Sequence, residues 1–266
     1  MKIRLGIALG LALALSRTVT AAPFDDKEDL AKAAKKATEM ESYKFKMTME
    51  LEGVPMAQGP IEFTGEHQKD TTHISGEVNG QEFEAYKKGK KAATKGQDGE
   101  WKAGGKGGRG GMAMNISQVK APHEELKEVE KKFEKIKKAD KKETVNSKEC
   151  TIYEGDLTEE AAKDIIPGGG GRMAGNAAEI TGTGKIFVDA DGVIQKVVFV
   201  SSIKVSIQGQ DLDITMTRTT EVSDIGKTEI KVPEEVAKLL EEEKKVEEKT
   251  PTEEGKKEEP KKDGDK

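Results

Sequence analysis

Apolar and polar residues alternate strictly between Ser42 and Glu52. The apolar residues all fall on one side of an extended chain: Tyr43, Phe45, Met47, Met49 and Leu51. A period of two predicts a half-buried antiparallel strand with one face in water. Shorter strands are predicted around residues 61–63, 74–78, 82–86, 92–94 and 100–102. The pairs Asn79-Gly80 and Asp98-Gly99 are turn signals between them, so this region predicts an antiparallel meander.

The same period returns in the last third of the chain. Residues 180–188 and 193–208 predict two strands joined by a turn at Asp191-Gly192, and Gly209 turns the chain into a final strand. The apolar positions of that strand are Leu212, Ile214 and Met216. Residues 197–200 are apolar on both faces, which predicts that the middle of this sheet is covered on both sides.

Helical spacing of apolar residues occurs at two places. Residues 26–40 carry a narrow apolar stripe, and either Asp25 or Asp26 can cap the helix. A second helix is predicted over residues 122–138, with a stripe made of Leu126, Val129, Phe133 and Ile136. A strand at residues 145–153 and a short helix from Thr158 that ends before Pro167 complete the pattern.

The first residues have the three parts of a secretory signal. Lys2 and Arg4 precede an apolar run, and small residues lead to a cleavage position after Ala21. The run is shorter than the roughly 20 residues that span a bilayer, and no later segment is apolar enough to span one. Because no cysteine lies near the cleavage position, we expect no lipid anchor. Residues 1–21 therefore predict export to the periplasm or the medium.

The last residues have the composition of a disordered tail. Residues 241–266 consist almost entirely of Glu, Lys, Asp, Gly, Pro and Thr, and Val246 is the one apolar side chain among them. Such a segment cannot bury enough surface to offset the entropy of ordering it. It is predicted either to engage an envelope protein or a charged polymer or to serve only as a solubilising end. Residues 104–111 and 168–171 are glycine-rich and predict two flexible breaks inside the domain.

Composition excludes some classes of partner. Charged residues make up 36% of the chain and aromatic residues 4%, while the net charge is only −5. A nucleic-acid-binding protein needs a concentrated basic face to neutralise phosphates, so no nucleic-acid partner is expected. Cys150 is the only cysteine, which rules out an intramolecular disulfide. We expect it to pack beside a strand as a small residue.

No pattern of catalytic residues emerges, and neither an enzyme nor a cofactor is predicted. Residues 105–110 match the spacing of a dinucleotide-binding glycine motif, but they follow an antiparallel strand and precede no buried helix. His67 and His73 can meet across a hairpin, yet a zinc site needs a third ligand, so we expect exposed strand histidines. Asp189 and Asp191 begin like a calcium loop without its remaining ligands, which predicts a turn. No metal site is therefore expected.

Three segments resemble those of a known family. They are Asp98-Gly99-Glu100-Trp101, the hairpin at residues 187–197, and the ending from Val222 to Lys227 with Val232-Pro233-Glu234. Together with the order of elements, they are similar to the periplasmic lipoprotein-carrier superfamily typified by LolA, over about residues 25–240. The resemblance implies a mainly β fold with helices, in which about eleven strands form a curved, antiparallel, incomplete barrel covered on its open side by helices. Residues 22–240 would form this one domain.

The resemblance and the methionine-rich strand faces together give a candidate ligand cavity. Flexible, polarizable methionine side chains adapt to varied apolar ligands. The residues predicted to line the cavity are Phe45, Met47, Met49, Ile61, Phe63, Phe199, Val205 and Met216. The predicted ligand is a lipid, a lipoprotein or another hydrophobic molecule. The alternative is an envelope interaction or sensor scaffold whose barrel is filled by its own helices and binds no ligand.

Overall fold

The computed structural model describes residues 26–53, 59–78, 80–104, 120–166, 177–207 and 210–241. Several features predicted from the sequence lie outside these residues. They are the export signal, the dinucleotide-like glycine motif, the glycine-rich segment at 168–171 and the charged tail after Glu241.

The strands form one antiparallel sheet in the order β6-β5-β4-β3-β2-β1-β11-β10-β9-β8-β7. They are β1 (Ser42–Glu52), β2 (Ile61–Gln68), β3 (Thr71–Val78), β4 (Gln81–Lys88), β5 (Lys91–Lys95), β6 (Trp101–Ala103), β7 (Phe133–Val145), β8 (Lys148–Leu157), β9 (Ala177–Asp189), β10 (Ile194–Ile207) and β11 (Gln210–Ser223). Pairing of β1 with β11 joins the early meander to the late one, and β6 and β7 remain as the two open edges. This confirms the predicted mainly β class and its eleven-stranded open sheet.

The sheet curves around a shared interior. Ile74 and Ala85 from β3 and β4 belong to the same buried cluster as Tyr153 and Ile186 from β8 and β9. In a flat sheet β4 and β8 would be about 34 Å apart, because neighbouring strands are separated by about 4.8 Å and seven spacings divide them. Side chains can share one core over that distance only if the sheet bends, so one face is concave.

Four α-helices accompany the sheet in the part of the chain that the structure describes. They are α1 (Asp26–Thr38), α2 (Pro122–Leu126), α3 (Glu159–Ile165) and α4 (Glu234–Glu241), with a 3-10 helix at Val129–Lys132 after α2. None of them is long and apolar enough to cross a membrane. The predicted helices at residues 26–40 and after Thr158 are confirmed as α1 and α3, and the Thr158 hydroxyl caps α3 by accepting from Ala161 N.

The predicted helix at 122–138 is wrong beyond Leu126. Glu128 takes a left-handed conformation with φ of 58°, and Phe133 begins β7, which pairs with β8. The spacing of Val129, Phe133 and Ile136 fits a helical stripe, but helix propensity is a weak preference that tertiary contacts override. Here the edge of β8 has backbone hydrogen-bonding groups that need partners, and β7 forms hydrogen bonds with them as an antiparallel strand.

Helix α4 was not predicted, and it lies on the convex face. Val236 and Leu240 are buried against Tyr86 of β4 and Ala93 of β5, with Trp101 of β6 beside them. The chain reaches this position after β11 ends, where Ile230 N donates to the side chain of Gln68. Tyr86 lies opposite Ala93 in the strand register, so both side chains point to this outer face.

Candidate functional site: the concave face beneath helix α2

Six of the eight residues predicted to line a cavity lie together in the main core. They are Phe45, Met47, Met49, Phe63, Phe199 and Met216, none of which is more than 8% exposed. Ile61 packs against this cluster and is only partly buried. Val205 lies elsewhere, in a smaller cluster with Ile166, Ile203 and Ile214. The strand alternation therefore places all eight on the concave face, where seven belong to the main core or pack against it and Val205 packs in the smaller cluster. Their contact with a ligand stays a prediction.

The concave face is covered by helices. Leu30, Ala33, Ala34 and Ala37 of α1 are buried in the same cluster, as are Leu126 of α2 and Val129 of the 3-10 helix. Two grooves, of about 560 and 540 Å³, run along α1. Lysine and acidic side chains, including Lys35 and Glu130, line them. Neither groove is the apolar cavity that the sequence predicts, because the apolar face is filled by the protein's own side chains.

A partly exposed apolar rim borders the covered face at one end of the sheet. We define the rim as Leu51, Ile61, Val78 and Phe83, which all pack against the main core and are only partly buried. They come from the last residues of β1 and β3 and the first residues of β2 and β4. Because these strands are antiparallel, those positions meet at the same end of the sheet. The rim marks where apolar surface reaches solvent.

Arg218 places a cation within the apolar concave face, next to Phe199. Arg218 of β11 is opposite Phe199 on β10 and Met49 on β1, and its guanidinium carbon is 5.9 Å from the centre of the Phe199 ring. Its Nη2 donates to the carboxylate of Glu125, which α2 supplies. The two side chains are only 16% and 6% exposed. A buried pair of this kind becomes strongly unfavourable if one partner is removed, so it pins α2 to the sheet.

A hydrogen-bonded aromatic cluster forms a second attachment of α2. The Tyr43 oxygen accepts from the backbone N–H of His123 at 3.2 Å, so its own proton is available to His123 Nδ1, 2.7 Å away. The ring centre of His67 is 4.1 Å from that of His123, and His67 Nδ1 is 3.0 Å from the Thr72 hydroxyl. The cluster thus joins β1, β2 and β3 to the start of α2.

Burial sets the proton affinities of this cluster. Burial, and next the charge of His123, lower the pKa of His67 from 6.5 to about 4. Burial also lowers the pKa of His123 and raises that of Tyr43. Lys87 of β4, 3.9 Å from the carboxylate of Glu124, has a pKa lowered by burial. The rings of His67, His123 and Tyr43 are therefore uncharged at neutral pH, which suits their position against an apolar core.

The sequence-based expectation of exposed strand histidines is wrong for His67, and the alternative in which His67 meets His73 is wrong as well. His67 is 3% exposed rather than exposed, and it does not meet His73. In the register of β2 and β3, His67 lies opposite Thr72, whereas His73 lies opposite Glu66, the residue before His67. Consecutive residues of a strand point to opposite faces, so the two imidazoles lie on opposite faces of the sheet. The partner of His67 is His123, which is distant in the sequence. The signal for burial was present, since His67 continues the inward positions 61, 63 and 65 of β2.

Two other sequence predictions are confirmed. Cys150 is completely buried in β8. Asp189 forms a turn: its carboxylate accepts from the backbone N–H groups of Asp191 and Val193 and from the side chains of Lys148 and Gln195. Burial opposes ionisation of Asp189, but these donors lower its pKa overall.

Among the described residues, no three His, Cys, Asp or Glu side chains are grouped as metal ligands.

Comparisons with known proteins give a distant likeness in structure. No protein-family profile and no curated protein sequence matches the chain. Among solved structures, a crystal structure of a LolA superfamily protein from Nitrosomonas europaea matches with 7% identity and a TM-score of 0.33. The match covers 77% of this chain and 94% of that one. Similarity at this level establishes neither membership of the family nor a shared ligand.

Proposed function

We propose that the protein is exported, is not an enzyme, and carries a hydrophobic ligand on the concave face of its sheet, beneath α2. The observation that supports this most is the partly exposed apolar rim, which leads directly from solvent to the buried Met49 and Phe63. A core that served stability alone would gain from closing this edge. The rim instead offers an apolar ligand a place to enter.

The part of the cover made by α2 and the 3-10 helix buries few large apolar side chains. Helix α2 has five residues, and the large apolar side chains that it and the 3-10 helix bury are Leu126 and Val129. Exposing both costs about 3–6 kcal/mol, at about 1.5–3 kcal/mol for each side chain. An acyl chain gains about 0.8 kcal/mol for each methylene it buries. Burial of eight methylenes therefore offsets the loss of the cover's apolar contacts.

A second candidate function follows from the filled interior. In the described residues the concave face is closed by α1, α2, α3 and the 3-10 helix, and both grooves along α1 are lined by charged side chains. These observations favour a ligand-free scaffold that presents its outer surfaces to an envelope partner. The two functions differ in whether the apolar face ever opens.

Recovery of lipid from the purified protein distinguishes them. The full chain is purified without detergent, extracted with organic solvent, and its lipids are quantified by mass spectrometry. Ile61→Asn places an amide on the apolar rim, and the matched control Glu62→Asn changes the adjacent position, which points to the outer face. We expect acyl lipid near one equivalent from the unmodified protein and from the control, and several-fold less from Ile61→Asn.

The scaffold function would be favoured if folded protein repeatedly gave no lipid and added fatty acid left its melting temperature unchanged. A ligand that binds only the folded state must raise that temperature, so an unchanged value would contradict the carrier proposal. Equal lipid recovery from Ile61→Asn and Glu62→Asn would show that the rim is not the entrance.

A further inference from the structure

Arg218, on the concave face, depends on the cover for its counterion. Glu125, from α2, is the carboxylate that pairs with Arg218, and both side chains are largely buried. If α2 moves away to admit a ligand, Glu125 leaves with it. The guanidinium is then left among Phe199, Met49 and Met216. An uncompensated charge in such surroundings is costly, so a purely apolar ligand would leave the opened state poorly stabilised.

Arg218 also has donor capacity that the covered state does not use. In the described part of the chain, Arg218 Nε is buried without a hydrogen-bond partner, although Nη2 is bonded to Glu125. The hydroxyl of Ser201 is likewise buried and without a partner. Native proteins leave few buried polar groups unpaired, so each of these two groups calls for an explanation.

The strand register places these two unused donors on the same face of the sheet. Ser201 lies opposite Met216, and Phe199 lies opposite Arg218, so Ser201 and Arg218 are diagonal neighbours on the same face of β10 and β11. Diagonal positions of antiparallel strands are about 7–8 Å apart at their Cα atoms, within reach of a long side chain. One anion between them could accept from both.

We infer that the ligand is an anionic amphiphile: an acyl chain ending in one carboxylate or phosphate, whose anion replaces the Glu125 carboxylate on Arg218. This inference rests on the proposed carrier function and specifies the class of ligand. The guanidinium offers two parallel N–H donors to such an oxyanion, and the Ser201 hydroxyl supplies another. Glu125 is then an internal substitute for the ligand's head group, which keeps the charge of Arg218 paired in both states.

The test compares ligands that differ only at the head group. The three ligands share a chain of sixteen carbons. Palmitate carries a carboxylate, hexadecyl phosphate carries a phosphate, and methyl palmitate carries no charge. Their affinities for the full-length protein are measured by displacement of a fluorescent acyl probe. We expect the better of the two anions to bind at least about tenfold more tightly than methyl palmitate, because a hydrogen bond to a charged group contributes that much or more. The better anion identifies carboxylate or phosphate as the natural head group.

Variants locate the effect at Arg218. In Arg218→Gln the preference for the anion should fall to within about threefold, while methyl palmitate binds as well as before or better. Ser201→Ala should weaken anion binding and leave methyl palmitate unchanged. If Arg218→Gln does not fold, the double variant Glu125→Gln/Arg218→Gln removes both charges together and leaves neither unpaired. It should show the same loss of preference.

The outcomes separate this inference from the proposal on which it rests. If all three ligands bind with similar affinity, or if the preference persists in the Arg218 variants, the carrier function stands and the inference about the anion is wrong. If none of the three ligands binds, the carrier function is wrong and the inference fails with it.

Discussion

His67 provides a test of the buried cluster that holds α2. Its imidazole is 3% exposed, and it contacts His123 and the Thr72 hydroxyl. Burial and the neighbouring imidazole lower its pKa from 6.5 to about 4. The substitution His67→Gln keeps a polar side chain of similar size there and removes the titrating group.

The direction of the pH effect follows from which state takes up the proton. The unfolded chain protonates His67 below about pH 6.5, whereas the folded protein resists protonation until about pH 4. Between these values the unfolded state binds more protons, so the free energy of unfolding falls as the pH falls. At about 1.4 kcal/mol for each pKa unit, the whole effect is about 3 kcal/mol. The stabilisation is fully present above pH 6.5 and is lost toward pH 4.

Urea denaturation at pH 7.5 and pH 4.5 measures the effect. Other groups, including carboxylates, also titrate over this range, so the comparison is between the unmodified protein and His67→Gln at each pH. We expect the unmodified protein to lose about 2.5 kcal/mol more stability between the two pH values than the variant does. Parallel losses in the two proteins would refute the assignment of a buried, neutral His67.

Three further substitutions test other parts of the structure. Gly155→Ala places a methyl group against the backbone oxygen of Lys135, so β7 must shift, and we expect the free energy of unfolding measured in urea to fall by about 1–3 kcal/mol. Asp189→Ala removes acceptors for two backbone N–H groups and two side chains, and about 2–4 kcal/mol should be lost in the same assay. Leu240→Ala leaves a gap beneath α4, and the fluorescence of Trp101 should shift to longer wavelength as its surroundings become wetter.

Each of these predictions has a contradicting result. Unchanged stability of Gly155→Ala would mean that the β7–β8 contact at this point is looser than the structure shows. Unchanged stability of Asp189→Ala would mean that the turn forms without its side chain. An unchanged fluorescence spectrum in Leu240→Ala would show that α4 does not cover Trp101.

The regular strands could be predicted from the sequence because their signal is local. The alternation in β1 assigns Phe45, Met47 and Met49 to one face without knowledge of any other strand, and the structure buries all three. The same alternation in β11, extended by one step from Met216, places Arg218 on the concave face. The apolar residues of this pattern end at Met216, so Arg218 was not predicted to lie on the same face.

The remaining features depend on partners distant in the sequence. No local pattern shows that Glu125 meets Arg218 or that His123 meets His67, because those pairs form only when α2 packs against the sheet. Strand β7 has almost no apolar alternation, and it forms because the edge of β8 supplies its hydrogen bonds. Helix α4 is short and forms against the convex face, where Val236 and Leu240 pack against Tyr86.

The central claim is that an acyl chain binds on the concave face beneath α2, and photochemical labelling tests it most directly. A palmitate analogue with a diazirine near the end of its chain is bound to the full-length protein and irradiated, and the labelled residues are identified by mass spectrometry. We predict labelling at concave-face residues such as Met47, Met49, Phe63 and Met216, suppressed by excess unlabelled palmitate. Labelling confined to the convex face around Trp101 and Leu239, or labelling that palmitate does not suppress, would contradict the claim.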